Sequence, residues 1–251
     1  MNRRLPGDWL IPNWPAPQNV GAVSTSRSGG VSDANYRALN LSDRVGDDPA
    51  SVQTNRGNLR ASLCLPTEPA WLWQVHGNTI VDASQVNGRV EADACVAFSP
   101  GPVCVVTTAD CLPVLFCDAN GTRIAAAHAG WRGLAAGVLE ATIEALGLSS
   151  DQVIAWLGPA IGPRRFEVGD EVKAVFVDQA PSNLTAFIPT PNGRWFADIY
   201  RLARNRLRAK GVHNIYGGGW CTYSDSKRFF SYRRDGATGR MASMIWMSKP
   251  N

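Results

Sequence analysis

Short apolar runs, each bounded by glycines or polar turn residues, dominate the chain. The clearest are WLWQVH (71–76), VCVVTT (103–108), PVLFCD (113–118), RIAAAH (123–128), VIAWLG (153–158) and MASMIWM (241–247). Their length and their β-branched and aromatic content predict strands rather than helices. Three stretches with helical spacing separate some of them. LAAGVLEATIEAL (134–146) sets Leu134, Val138, Ala141 and Ala145 on one stripe and stops at Gly147, a good residue for the position after a helix. GDEVKAVFV (169–177) and ADIYRLARNRLRAKG (197–211) read the same way, the latter also ending on glycine. Strands interleaved with helices predict a mixed α/β fold, helices covering a strand layer, with residues 1–251 as a single domain.

Strand alternation then selects which side chains share a face. In WLWQVH it groups His76 with Leu72 and Gln74; in RIAAAH it groups His128 with Ile124 and Ala126. Both histidines close apolar runs beside glycines, and Cys111 follows TTAD after the run at 103–108. Such strand ends are where α/β sheets place their sites. Two imidazoles and a thiolate suit a catalytic zinc that keeps one position open, and such an ion would make a nucleophile of bound water near neutral pH. The competing reading is a pair of buried, hydrogen-bonded histidines.

Other polar groups gather nearby in sequence. Asp110 or Asp93 would orient a ligand histidine or act as a general base; the plain alternative is a turn or cap carboxylate. Arg132, just before the helix at 134, is a candidate anion contact, set against a surface salt bridge. The block GGGWCTYSDSKRFFSYRRDGATGR (217–240) carries Tyr232, Arg233, Arg234 and Arg240, a loop suited to an anionic or planar ligand or simply a solvated turn.

Composition narrows the function classes. With 45% hydrophobic and 18% charged residues, the chain is not a disordered one. Its net charge of +4 is mild, and the basic run at 201–211 reads as a solvated helix face rather than a nucleic-acid surface. No apolar run approaches the ~20 residues that span a bilayer. The N-terminus is basic but broken by prolines, unlike a signal peptide. The six cysteines form no disulfide framework, which points to a reducing, cytoplasmic setting with Cys104 and Cys117 as inert core.

Ten blocks taken in order, TSRSGGVS, LNLSDRVGDD, NR, WQVHGN, AD, TADCLPV, HAGWRG, LGPAIGP, FEVG and SYRRDGATGR, resemble the bacterial YfiH proteins. That family has been named for laccase-type polyphenol oxidation and for peptidoglycan editing, and it includes the human protein FAMIN. The resemblance implies a layered α/β/β/α sandwich with mixed sheets, similar to the catalytic domain of a glutaminase-type toxin. It also implies a zinc ion on His76, Cys111 and His128. His213 matches none of the motifs. The activity implied is phosphorolysis of adenosine, inosine and methylthioadenosine, with deamination of adenosine as a companion reaction. Phosphate then needs an anion pocket, for which Arg132, Arg27 and the 233–240 loop are candidates, and Asp110 is a candidate proton source for the leaving purine.

Three other uses of the same residues stay open at this point. Copper could replace zinc and give a laccase-like oxidase, although a blue-copper centre would exhaust His76, His128 and Cys111 and leave only His213 for an oxygen-reducing cluster. Cys111 could act as a thiolate nucleophile with a histidine base, editing peptidoglycan precursors. Cys95 or Cys221 could close the metal shell and leave a non-catalytic zinc scaffold.

Overall fold

The structure, a computed structural model, describes residues 8–249. Its largest sheet has six strands in the order β11 (Asn214–Gly217), β7 (Val153–Leu157), β5 (Leu112–Asp118), β6 (Ile124–Ala129), β3 (Ala94–Ala97) and β2 (Ile80–Asp82). The two edge pairs, β11 with β7 and β2 with β3, are parallel and the rest antiparallel, so the sheet is mixed. A second sheet runs β1 (Val20–Ser24), β12 (Met241–Met247), β4 (Val103–Thr108), all antiparallel. A small third one joins β8 (Glu167–Val168), β10 (Trp195–Ala197) and β9 (Phe187–Pro189).

The layers follow from strand alternation. Cys104 and Val106 of β4 face Leu115, Cys117 and Ile124 of the large sheet, forming a core between the two sheets. Val103 and Val105, one residue out of phase, face the other way and pack with Leu59 of α1 (Pro49–Leu63). On the far side of the large sheet, Val114, Phe116, Ala125 and Ala155 meet apolar residues of α3 (Val138–Leu146), α4 (Asp170–Gln179) and α5 (Ile199–Ala209). Strands covered on both faces read as nearly continuous apolar runs, as these do apart from Thr107, Thr108, Asp118 and His128 at their ends. The result is the expected α/β/β/α order. Cys104 and Cys117 lie in the inter-sheet core, where burial pushes the Cys117 thiol up to about 12. No helix among the described residues is long and apolar enough to cross a membrane.

Three local expectations need correction. WLWQVH is not a strand: only isolated bridges form there, Ala70 with Cys104 and Trp73 with Glu91. The Gln74 side chain takes the place of a neighbouring strand's backbone, donating Nε2 to the Thr107 carbonyl at 2.9 Å and accepting Thr107 N–H at 2.8 Å. Second, the helix expected over 134–146 is two helices, α2 (Trp131–Ala135) and α3, separated by Gly137 at φ 88. Side chains satisfy the carbonyls freed at the break: Arg206 and Gln179 donate to Ala135, and Asn78 donates to Ala136. The buried stripe of α3 is accordingly Val138, Leu139, Thr142, Ile143 and Leu146, with Ala141 and Ala145 at its margin. Third, α1 was not anticipated. Its inward face carries Asn55, which donates to Ser32 Oγ, Ala38 O and Asn40 O, so the apolar period is interrupted by a buried polar hub.

Candidate metal centre

The chain crosses from the small β4 sheet to the six-stranded one through only Ala109, Asp110 and Cys111. The link is tight enough to force Asp110 to φ 91, a left-handed conformation that costs a non-glycine residue on the order of 1–3 kcal/mol. It leaves Cys111 beside the end of β6, where His128 pairs opposite Pro113. The third member, His76, sits at φ 63 in the turn after the non-strand segment. The three potential ligand atoms all lie within 4.8 Å of one another, and His76 Nε2 stands 3.9 Å from Cys111 Sγ. Donors 2.0–2.3 Å from a tetrahedral ion stand about 3.3–3.8 Å apart, so the set needs little adjustment to hold one.

Asp93 builds this arrangement. Fully buried on the chain entering β3, it lies 2.8 Å from His128 Nδ1, which leaves Nε2 as the free donor of that ring. The same carboxylate accepts the backbone N–H groups of Val75, His76 and Gly77 at 3.1, 2.9 and 2.7 Å, holding the strained turn. Burial works against charge on Asp93, but the His128 contact and these amides keep it below its ordinary 3.8. Gly130 completes the cradle: a Cβ there would stand 2.9 Å from Cys111 Sγ and 3.0 Å from the His76 ring.

The electrostatics suit a cation. Burial, the largest influence on Cys111, opposes charge, yet His128 and then His76 bring the thiol down to about 6. Burial likewise opposes charge on His128, while Cys111 and Asp93 hold it up at about 9. Each of the two groups favours charge on the other, thiolate on Cys111 and imidazolium on His128, and a divalent ion would bind by displacing the imidazolium proton.

A cavity of about 400 Å³ opens over the trio. Arg44, Arg56, Arg240 and Tyr232 reach it, as does Thr108, whose buried hydroxyl has no hydrogen-bond partner among the described residues. Arg240 donates Nη1 to the Thr238 and Gly239 carbonyls. Arg44 donates to the Gln74 carbonyl at 2.7 Å and stacks 3.7 Å from the Trp73 ring; Arg56 lies 4.1 Å from the Trp71 ring.

Of the arginines singled out in the sequence, only Arg240 lines this cavity. Arg27 ties loops together through the Arg37 and Ser226 carbonyls, Arg132 stacks on Trp131, and Arg233 donates to the Glu167 carbonyl. Arg234 is likewise a brace, donating to the carbonyls of Thr222, Tyr223 and Phe229. The Asp110 carboxylate is committed too: it accepts from Thr222 Oγ1 at 2.6 Å, Ser231 Oγ at 3.0 Å and Arg233 N–H at 2.7 Å. Neither Cys95, buried in β3, nor Cys221 joins the ligand group, and His213 is exposed just before β11. Arg44, Arg56, Gln74 and Thr108 were not singled out. Their sequence signal was proximity to recognised blocks, since Arg44 and Arg56 fall within LNLSDRVGDD and NR.

A family model described as multi-copper polyphenol oxidoreductase laccase matches residues 21–248. Curated relatives include a purine nucleoside phosphorylase of Pseudomonas aeruginosa, 56% identical over 95% of this chain and 98% of that protein. The purine nucleoside phosphorylase YfiH of Escherichia coli is 51% identical, again over 95% and 98%. Among solved structures, a Neisseria meningitidis protein assigned to the DUF152 family model superposes with a TM-score of 0.93 at 48% identity, covering 96% of this chain and all of that one. YlmD from Geobacillus stearothermophilus gives 0.89 at 29% identity, covering 98% of each chain.

Proposed function

The chain belongs to the multi-copper polyphenol oxidoreductase laccase family, and from that premise we propose that it catalyses phosphorolysis of purine nucleosides at a zinc ion held by His76, Cys111 and His128. The observation that carries the reading is the convergence of two imidazoles and a low-pKa thiol beneath a cavity reached by three guanidiniums. His₂Cys with an open position is a catalytic zinc set, and a divalent ion there would supply Lewis acidity toward a substrate oxygen or water.

In the reaction, a phosphate oxygen forms the bond to ribose C1′ as the C1′–N9 bond breaks, and the purine leaves with the proton that phosphate gives up on becoming ribose 1-phosphate. Arg240, with Arg44 and Arg56 on the same cavity, provides positive charge for the phosphate and for the charge that develops on the departing base. Arg27 and Arg233 act elsewhere, as braces, and exposed Arg132 also lies off the cavity. Tyr232 forms an exposed rim suited to the flat face of the nucleoside. Both oxygens of Asp110 already accept hydrogen bonds, so it serves as a positioning residue for the loop that carries Tyr232 rather than as the proton source. Deamination of adenosine would use the same ligand set with water in place of phosphate.

The histidines tell against a multicopper oxidase, because His213, the one left over, lies outside the ligand group. The test is incubation of purified, metal-analysed protein with inosine and with adenosine, with and without phosphate. Free base plus ribose 1-phosphate, formed only when phosphate is present and with one equivalent of zinc, is the expected result. Phosphate-independent release of base would overturn it. Rapid alkylation of Cys111 by iodoacetamide with no metal lost and no nucleoside turnover would instead favour a cysteine hydrolase.

A further inference from the structure

A second cavity, of about 440 Å³, shares no lining residue with the metal pocket. It lies between the loop at 162–165, the first turns of α5, and the glycine run 217–219 with the Trp220–Cys221 segment that follows. Three guanidiniums reach it, those of Arg164, Arg165 and Arg204. Asp198 is the one carboxylate in its lining, and it is already committed as the N-cap of α5, accepting Arg201 N–H at 3.0 Å.

The cationic wall is partly built and partly open. Arg204 is anchored by donating to the Gly217 carbonyl at 2.7 Å and to the Ile215 carbonyl at 3.3 Å. Arg165 lies 5.1 Å from the Tyr223 ring, while exposed Arg164 makes no hydrogen bond or ion pair with the described residues. Aromatic residues share the lining. Half-buried Trp220 leans on Trp156 with ring centroids 5.6 Å apart, and the hydroxyl of buried Tyr200 is fixed by the backbone of Gly158, Ala160 and Trp220. Glycine at 218 is what lets the chain pass this close: a Cβ there would meet Arg204 at 3.2 Å and the Tyr200 ring at 3.3 Å. Gly219 borders open space.

A positive cavity with an indole face, in the size range of ligand pockets, has the chemistry to hold a phosphomonoester on its guanidiniums and a planar group on its aromatic side. Bare phosphate would leave most of the volume unfilled. We propose that this cavity is a second ligand site, separate from the metal pocket, that takes a nucleoside monophosphate with its phosphate at Arg164 and Arg165 and its base against Trp220. The site does not rest on the phosphorylase reading, which is tested by turnover rather than by binding here.

Isothermal titration of the full, zinc-loaded protein with AMP, with adenosine and with inorganic phosphate tests it, and the AMP titration is repeated in excess inosine without phosphate to count any occupancy of the metal pocket. One equivalent of AMP should bind in the presence of inosine, and more tightly than either adenosine or phosphate alone. The variant R164E/R165E, altered only at exposed positions, should keep its melting temperature and its nucleoside turnover yet bind AMP about tenfold more weakly or worse, the scale of losing a hydrogen bond to a charged group. Trp220→Ala should weaken AMP but leave binding of phosphate alone unchanged. The proposal is overturned if AMP binds R164E/R165E as well as it binds the unaltered protein, or if inosine displaces all of it. Inorganic phosphate binding as tightly as AMP would also overturn it, by reducing the cavity to a simple anion site.

Discussion

Asp93 and Asp110 each collect hydrogen bonds from segments far away in sequence, and each is tied to a positive-φ position, Asp93 by bonding His76 and Asp110 by being one. What they collect differs. Asp93 is fully buried and binds one imidazole plus the three amides of the turn that carries the other, so it fixes the candidate ligands themselves. Asp110 binds two hydroxyls and one amide of the 222–233 loop, so it fixes the roof over those ligands. The difference teaches how a cavity can be assembled without a continuous strand or helix across it. One carboxylate sets the floor and another sets the wall, and the strain at His76 and Asp110 is carried by their hydrogen bonds.

If the floor is the chemical half of the site, its variants should lose metal and the wall's variants should not. The largest effect is expected at the thiolate itself. Cys111→Ala should lose bound zinc and about a thousandfold or more in turnover, because the electrostatic stabilisation supplied by the ion goes with it; metal analysis alongside kinetics checks both. Asp93→Asn comes next, with metal affinity down about 10- to 100-fold, the usual cost of removing a ligand's hydrogen-bond partner. It also has a pH signature. A carboxylate held below its ordinary value contributes stability that is full above about pH 4 and is lost as pH falls through its depressed folded value. Denaturation of Asp93→Asn should therefore show a flatter acid limb than the unaltered protein.

On the wall, Arg240→Met should raise the KM for phosphate about thirtyfold, an effect of ~2 kcal/mol, with zinc content unchanged. Asp110→Asn should cost less, about five- to tenfold in kcat/KM, again with full zinc. Metal loss in Asp110→Asn would erase the distinction between floor and wall. His213→Ala, on the exposed turn before β11, should change neither zinc content nor turnover.

Much of the floor was legible in the sequence and little of the wall. RIAAAH is a strand, β6, and His128 lies at its end within the group that could hold a metal. His76 joins that group by a route other than the strand the sequence suggests. Its segment alternates like a strand, but a glutamine side chain substitutes for the backbone pairing, and its histidine faces Cys111 through a left-handed turn rather than through the pleat. Cys111 was marked by its position after a strand, yet alternation could not reveal that the next strand lies in a different sheet, which is what brings the thiol across. Between the two candidate carboxylates, sequence could not choose the histidine's partner; burial and 2.8 Å geometry choose Asp93. The wall draws on residues near 44, 56, 108 and 240, a convergence no local pattern encodes. The arginines best advertised by their motifs, Arg27, Arg132 and Arg233, do not line the cavity over the trio. The missed helix α1 has the same origin, since its buried face is built around the hydrogen bonds of Asn55 rather than around an apolar stripe.

X-ray absorption at the zinc edge of the purified protein examines the coordination most directly. Two nitrogen donors near ~2.0 Å, one sulfur near ~2.3 Å and one further light-atom donor is the pattern expected of His76, His128, Cys111 and an exchangeable fourth position, and the sulfur should vanish in Cys111→Ser. A first shell with two or more sulfurs, or one unchanged by that substitution, would contradict the account.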